Sequence, residues 1–237
     1  MSFQFIKKKL VHPLQHLQPT CCVFCQQRQA QPICYFCLNA LRENLNYRQC
    51  LICGKPNLTW VCKACANASW SFDQTVALAN ETSRLMATVK AFHYHGHFSQ
   101  MVSILYAWKI LIFKRITPVE LIIPFPEDVK ISQERGFWSA LELAKKWSRL
   151  TKTPYISDLL TYHSKESNVS KYSVFYPFKI NTELLSIFSI TNFRIAVILP
   201  HMQKPHLLHE TAKLLKAHGA RYVINWVLIR DCTKERG

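Results

Sequence analysis

Glycine is scarce in this chain, five among 237 residues, and none lies between Gly136 and Gly219. A glycine-rich loop that lets backbone amides close on a phosphate is therefore excluded over that stretch. Acidic residues are also few, 14 against 30 Lys plus Arg. The resulting net charge of +16 excludes an acidic solvating segment and favours a polyanionic partner: nucleic acid, a phosphorylated substrate or an anionic membrane surface. Long apolar runs are missing too. The most apolar window, Met101 to Phe113, is interrupted by Lys109 and is too short to span a bilayer, so no stable membrane insertion is expected. The run Lys7, Lys8, Lys9 leads into Leu10, Val11, His12 and Pro13 instead of an apolar stretch, which speaks against a secretory signal and predicts a cytoplasmic, reducing location. With 49% hydrophobic residues and 12% aromatics, the chain has ample material for a packed core.

Cysteine is abundant, and in a reducing compartment ten of them are not expected to form a disulfide framework. Eight form four C-x-x-C pairs: Cys22/Cys25, Cys34/Cys37, Cys50/Cys53 and Cys62/Cys65. Each residue of the first two pairs recurs 28 positions later, so C-x2-C-x8-C-x2-C is used twice, as an internal duplication. Two thiolates separated by two residues can curl round one metal, and two such knuckles complete the tetrahedral sulfur set of a closed structural zinc site. Redox chemistry of the thioredoxin type needs a single such pair at the head of a helix, so metal fits four pairs better. Sequential pairing puts Cys22, Cys25, Cys34 and Cys37 on one Zn2+ and Cys50, Cys53, Cys62 and Cys65 on a second, and it makes each duplicated unit complete. A crossed pairing of first with third knuckle uses the same residues and stays open at this level. Cys21 lies outside the register, as a spare thiol or as a substitute for Cys22; Cys232 stands alone and reads as a small, partly buried residue. Closed four-sulfur sites leave no position for substrate, so the metals are expected to scaffold and not to catalyse.

From Asp73 onward strands alternate with helices. Strand candidates are Thr75 to Ala79, Val119 to Phe125, Phe193 to Leu199 and Tyr222 to Ile229. Helical spacing joins Leu85, Met86, Val89 and Phe92 after a cap at Thr82; Phe137, Ala140, Leu141, Ala144 and Trp147 after a start near Gly136; and Leu208, Thr211, Ala212 and Leu215 before Gly219. The pattern predicts a parallel α/β sheet covered on both faces. Residues 157–192 show no clear period and are expected to hold a loop or flap. Three segments follow: a basic N-terminal segment (1–20), a double zinc ribbon (21–72) and an α/β domain (73–237).

Four C-x-x-C pairs, the proline-bearing strand Ile122 to Pro126, the R-G-F sequence Arg135-Gly136-Phe137, the segment Lys90-Ala91-Phe92 and the ending Gly219-Ala220-Arg221 before a strand together resemble the ComF/GntX family. The resemblance covers nearly the whole chain. It implies a double zinc ribbon joined to a type I phosphoribosyltransferase-like domain, and an association with DNA uptake in natural competence. Two departures stand beside it. Trp138 and Ser139 replace the two amide residues that follow R-G-F in the family. At the family's phosphoribosyl diphosphate (PRPP) signature, an acidic pair and then T-T-G-x-T, this chain has Leu199 and Pro200, then Gln203, Lys204, Pro205 and Leu207; a shift by one residue restores no acid. The resemblance thus implies a retained fold with a degenerate PRPP-binding site, a pseudoenzyme with no catalytic residue.

Among the remaining constellations, His93, His95 and His97 read as a polar helix end or loop, because alternate imidazoles do not converge on a helix. His201, His206 and His209 read as a surface loop. Lys145, Lys146, Trp147 and Arg149, or Lys171, Tyr172 and Phe175, could stack on and neutralise single-stranded DNA, although helical spacing turns Trp147 to the core. The leading expectation is a ComF-like accessory protein of DNA uptake that binds nucleic acid or competence proteins. The alternatives are a phosphoribosyltransferase with a rearranged site and a protein-only zinc-ribbon adaptor. Residues 1–72 carry eight basic residues and one acid, and 73–237 carry 22 and 13. Eight thiolates on two zinc ions would lower the first surplus from +7 to +3, leaving the larger one, +9, on the α/β domain.

Overall fold

The computed structural model describes residues 20–46, 49–113, 116–162, 178–202 and 205–231. The basic cluster Lys7–Lys9, the group Lys171, Tyr172 and Phe175, and Cys232 lie outside them.

Four strands form a parallel sheet: β3 (Gln74–Asn80), β4 (Leu121–Pro124), β7 (Arg194–Met202) and β8 (Tyr222–Arg230). Their spatial order is β3-β8-β7-β4, so the last strand in sequence sits between the first and the third. All four coincide with the expected apolar runs. Period-two alternation divides their side chains: Leu78, Ile122, Ala196, Ile198, Ile224 and Trp226 join one apolar cluster, while Ala77, Leu121, Ile123, Ile195, Val197 and Val223 join another.

Helices α3 (Leu85–His95), α4 (Ser99–Leu111) and α6 (Ser139–Thr151) cover the first face, and α8 (Pro205–Ala217) covers the second. The face of α6 differs from the expectation at two positions. Gly136, at φ +78, ends the short helix α5 (Val129–Arg135) instead of opening α6, and Phe137 joins Phe92 and Phe98 in a ring cluster ahead of the helix. Leu143, not Leu141, is then the fully buried leucine beside Ala140, Ala144 and Trp147. Trp147 packs at 4.4 Å from Trp108 and 5.9 Å from Trp226, ring centre to ring centre, and all three indoles are buried. Within 157–192 the described residues form an antiparallel pair, β5 (Leu160–Tyr162) with β6 (Phe178–Ile180), followed by α7 (Thr182–Ile187). No helix among the described residues is long and apolar enough to cross a membrane.

Ahead of the sheet lie β1 (Thr20–Cys21), β2 (Arg28–Gln29), α1 (Tyr35–Asn46) and α2 (Lys63–Ala66). Ile33, Leu38 and Leu41 share the apolar cluster of the first sheet face, whereas Ile52 and Trp70 pack against that of the second. The cysteine-rich units and the sheet therefore share one core.

Candidate functional site

The eight paired cysteines gather into two groups of four, Cys22/Cys25/Cys34/Cys37 and Cys50/Cys53/Cys62/Cys65, with the Sγ atoms of each group within 4.8 Å of one another. The pairing is sequential, so the crossed alternative falls away. Cys25 and Cys34 place their Sγ atoms 3.7 Å apart, and Cys53 and Cys62 theirs 3.8 Å apart. A disulfide would require roughly 2.05 Å. Four sulfurs at about 2.3 Å from one ion occupy tetrahedral corners about 3.8 Å apart, which is the spacing found. Both groups are compatible with one zinc ion each.

The duplication persists at the level of single hydrogen bonds. Cys34 N–H donates to Cys22 Sγ at 3.4 Å and Cys62 N–H to Cys50 Sγ at 3.3 Å. Gln26 N–H donates to Cys22 O, as Gly54 N–H does to Cys50 O. Cys21 pairs with Arg28 in the strand ladder, as Gln49 does with Pro56. Cys21 is exposed and stands outside the sulfur group, which settles Cys22 as the group member.

The first knuckle of each unit turns through a left-handed residue, Gln26 at φ +61 and Gly54 at φ +70. Glycine suits that conformation and glutamine does not. A Cβ at Gly54 would also lie 3.1 Å from Thr75 Cγ2. Gln26→Gly is accordingly expected to stabilise the metal-loaded protein by about 0.5 kcal/mol and Gly54→Ala to destabilise it by about 1–3 kcal/mol. Thermal unfolding of the two variants, which should shift in opposite directions, checks this.

Electrostatics limit what each sulfur group can do alone. Burial opposes charge at Cys22, yet the amides of Cys25, Cys34 and Phe24 outweigh it and hold that thiol down at about 6. Cys50 is held at about 7 in the same way, by the amides of Cys53, Cys62 and Ile52 against its burial. Burial, then the neighbouring sulfurs, pushes Cys37 up to about 12 and Cys65 strongly upward. A thiolate is favoured at Cys22 and at Cys50, whereas charge on Cys37 or Cys65 is opposed unless a cation sits at the centre.

The second group is the more deeply held. Cys50, Cys53 and Cys65 are buried, whereas Cys25 of the first group is exposed. Arg230, at the end of β8 and 2% exposed, donates from Nε to Cys53 O at 2.7 Å and from Nη1 to Met202 O at 2.9 Å. Leu51 O accepts from Thr75 N–H at the start of β3.

Aromatic side chains beside the sulfur groups were not singled out from sequence. Tyr35 and Phe36, the two residues between Cys34 and Cys37, are 70% and 76% exposed, and Trp60, two residues before Cys62, is 63% exposed. Their place inside the ligand repeat, where small or polar residues would do, is the signal that could have found them. Trp147 is fully buried, so the Lys145–Arg149 group presents no ring to a partner, and Lys145 pairs with Glu142 at 2.6 Å.

A cavity of about 250 Å³ opens at the C-terminal ends of β4 and β7. The connection after β4 leads to α6 on one sheet face and that after β7 to α8 on the other, so the two chains diverge and leave a crevice between them. Leu199 and Pro200 lie on buried β7 and line this crevice without a carboxylate. Its acid comes instead from Glu127, just past β4. Arg135 Nη1 donates to Glu127 Oε1 at 2.9 Å, while Oε2 is buried with no hydrogen-bond partner among the described residues. Burial raises the Glu127 carboxyl above its ordinary range and Arg135 works against that.

His93 and His95 lie in the last turn of α3 and His97 just beyond it, as the helix-end reading expects, but one of them faces inward: His93 is half-buried, lines the cavity and meets Ser139 Oγ through Nδ1 at 2.6 Å. Burial, then the charges of Arg135 and His201, pushes it down to about 4, so it is neutral at pH 7. His201, His206 and His209 are not a surface loop: His201 lies on β7, half-buried, and the other two lie on α8, where His209 Nδ1 accepts from Ser71 N–H at 3.0 Å. A regular strand and a regular helix carry the three histidines where the sequence predicts a surface loop.

Neither a scan of protein-family models nor a search of characterised proteins gives a match to this chain.

Proposed function

We propose that this chain is a zinc-scaffolded accessory protein that binds single-stranded nucleic acid, ComF-like in organisation, with a phosphoribosyltransferase-like domain that does not transfer phosphoribosyl groups. The observation that carries the reading is the exposure of Tyr35, Phe36 and Trp60 beside two compact sulfur groups in a basic chain. An aromatic ring held out from a rigid knuckle is a stacking platform for an unpaired base, and every base offers a face to it. Basic residues in the same segment, Arg28, Lys55 and Lys63 among them, supply contacts to the phosphates. Zinc in each group fixes the knuckles; with all four thiolates bound it also lowers the local positive surplus, so stacking should add to the phosphate contacts in setting affinity. A role in DNA uptake, with other uptake proteins as partners, follows from the resemblance alone. The loss of phosphoribosyl transfer is inferred from Leu199 and Pro200 standing where two acids would hold ribose hydroxyls.

Fluorescence anisotropy with a labelled oligothymidine tests the reading. Affinity is expected to fall steeply between about 50 and 200 mM salt, and Tyr35→Ala with Phe36→Ala to weaken binding by about tenfold or more at fixed salt, since stacking contributes about 1–3 kcal/mol per base. Calorimetry on the same preparation with PRPP and Mg2+ is expected to give no binding heat. No oligonucleotide binding at low salt would leave the protein-only adaptor as the better account. Micromolar PRPP binding would restore the enzyme.

A further inference from the structure

The cavity at the ends of β4 and β7 is at odds with the rest of the molecule in its charge. The chain carries +16, yet among the described residues neither Lys nor Arg lines this crevice. Its two histidines are disfavoured as cations by their surroundings, burial foremost. The nearest guanidinium, Arg135, is engaged: it pairs with Glu127 Oε1 and lies over the rings of Tyr94 and Phe137, at 5.9 and 5.8 Å. Among the described residues the walls present one carboxylate oxygen without a donor, Glu127 Oε2, with the His201 imidazole beside apolar groups that include Phe125, Trp138 and Leu208. Trp138 has its Nε1–H committed to Phe125 O at 3.1 Å, so it offers the cavity its ring and not its donor. A phosphate or carboxylate ligand would meet Glu127 and find no Lys or Arg among the described lining residues to offset it. A buried acceptor left unpaired is costly, and a donor carrying positive charge relieves it best.

We propose that this cavity binds a small organic cation with a flat apolar body, of the aryl-amidine or protonated aromatic-amine class, held by Glu127 Oε2. The volume lies at the small end of ligand pockets, which run from roughly 300 to 1,000 Å³, so a single ring system fits and a nucleotide does not. The protein's overall positive charge does not prevent this, because charges beyond about 8 Å are largely screened at physiological ionic strength. The contact itself is short and partly desolvated, where screening is weak.

The test is saturation-transfer NMR and calorimetry on the full chain at 150 mM salt, with benzamidine as probe and benzamide, benzoate and inorganic phosphate as controls. Benzamidine should bind, benzamide more weakly, and the two anions not at all. Glu127→Gln, which keeps an oxygen for Arg135, should weaken benzamidine by about tenfold or more. Leu207→Trp, which adds bulk at a lining position without touching the Glu127–Arg135 pair, should block it, and it decides the matter if Glu127→Gln does not fold. The proposal is overturned if the folded wild-type protein ignores benzamidine, if benzoate or phosphate binds as well as benzamidine does, or if benzamidine binds the Leu207→Trp protein undiminished.

Discussion

Replacing Cys62 by serine is expected to unfold the second cysteine unit and to destabilise the sheet with it, whereas Cys25→Ser should release one metal and leave the sheet standing. A structural zinc site contributes about 10–16 kcal/mol to the folding of its own segment, as much as the net stability of a whole domain, roughly 5–15 kcal/mol. Loss of one of four ligands removes most of that. The two sites differ in what they are attached to. Cys25 is exposed, and its group touches the sheet through side-chain packing. The second unit is tied to the sheet by hydrogen bonds to its main-chain carbonyls, Thr75 N–H to Leu51 O and the Arg230 guanidinium to Cys53 O. Native mass spectrometry should find two zinc ions on the wild-type chain and one on each variant. Circular dichroism should show a near-native melt for Cys25→Ser and a lowered, broadened one for Cys62→Ser. A single zinc on the wild type would refute the two-site account, and identical melts would refute the difference in coupling.

The second large effect is expected at Arg230. Its guanidinium is buried and caps two main-chain carbonyls from segments about 150 residues apart, Cys53 O and Met202 O. Arg230→Met fills similar volume with no donor, so both carbonyls are left without that partner. Met202 O keeps the Asp231 N–H at 3.2 Å, so the loss falls mainly on Cys53 O, and one buried unsatisfied acceptor costs about 1–3 kcal/mol. Arg230→Lys should recover only part of this, since an ammonium cannot present two fixed donors in a fork. Urea unfolding of zinc-loaded protein measures it. A loss below about 1 kcal/mol for Arg230→Met would mean that the two carbonyls find water instead.

The four parallel strands were legible because a strand buried on both faces must be apolar throughout, and FRIAVIL and YVINWVLI have no competing reading. The sulfur groups were legible because four thiol pairs repeated at an offset of 28 residues suit a metal and little else. The choice between sequential and crossed pairing was not, since spacing constrains each knuckle and not which knuckles meet. The cavity was unreadable for a different reason. Glu127, His93, Ser139 and Leu208 lie far apart in sequence and on different elements, and only the divergence of two connections at one sheet edge brings them together. The R-G-F sequence was visible, but its physical use was not. Gly136 ends a helix, Arg135 meets Glu127, and Phe137 sits where a Cβ on Gly96 would lie 3.0 Å from its ring.

The strand order β3-β8-β7-β4 also sets a timetable. Each cysteine unit has its full ligand set within a short stretch of chain, from Cys22 to Cys37 and from Cys50 to Cys65, and can close as soon as that stretch leaves the ribosome. The first strand of the sheet follows at Gln74, but its partner in the ladder, Ile224, is made about 150 residues later. At roughly 5–20 residues per second, β3 waits on the order of ten seconds or more with an unpaired edge. The cysteine units, complete before β3 emerges, reach that strand directly, through Leu51 O to Thr75 N–H and through the cluster that Leu38 and Leu41 share with Leu78 and Ala79, so once metal closes them they can cover it from the start of that wait. Metal supply during synthesis, and not only afterwards, would then govern how much of this protein reaches its sheet.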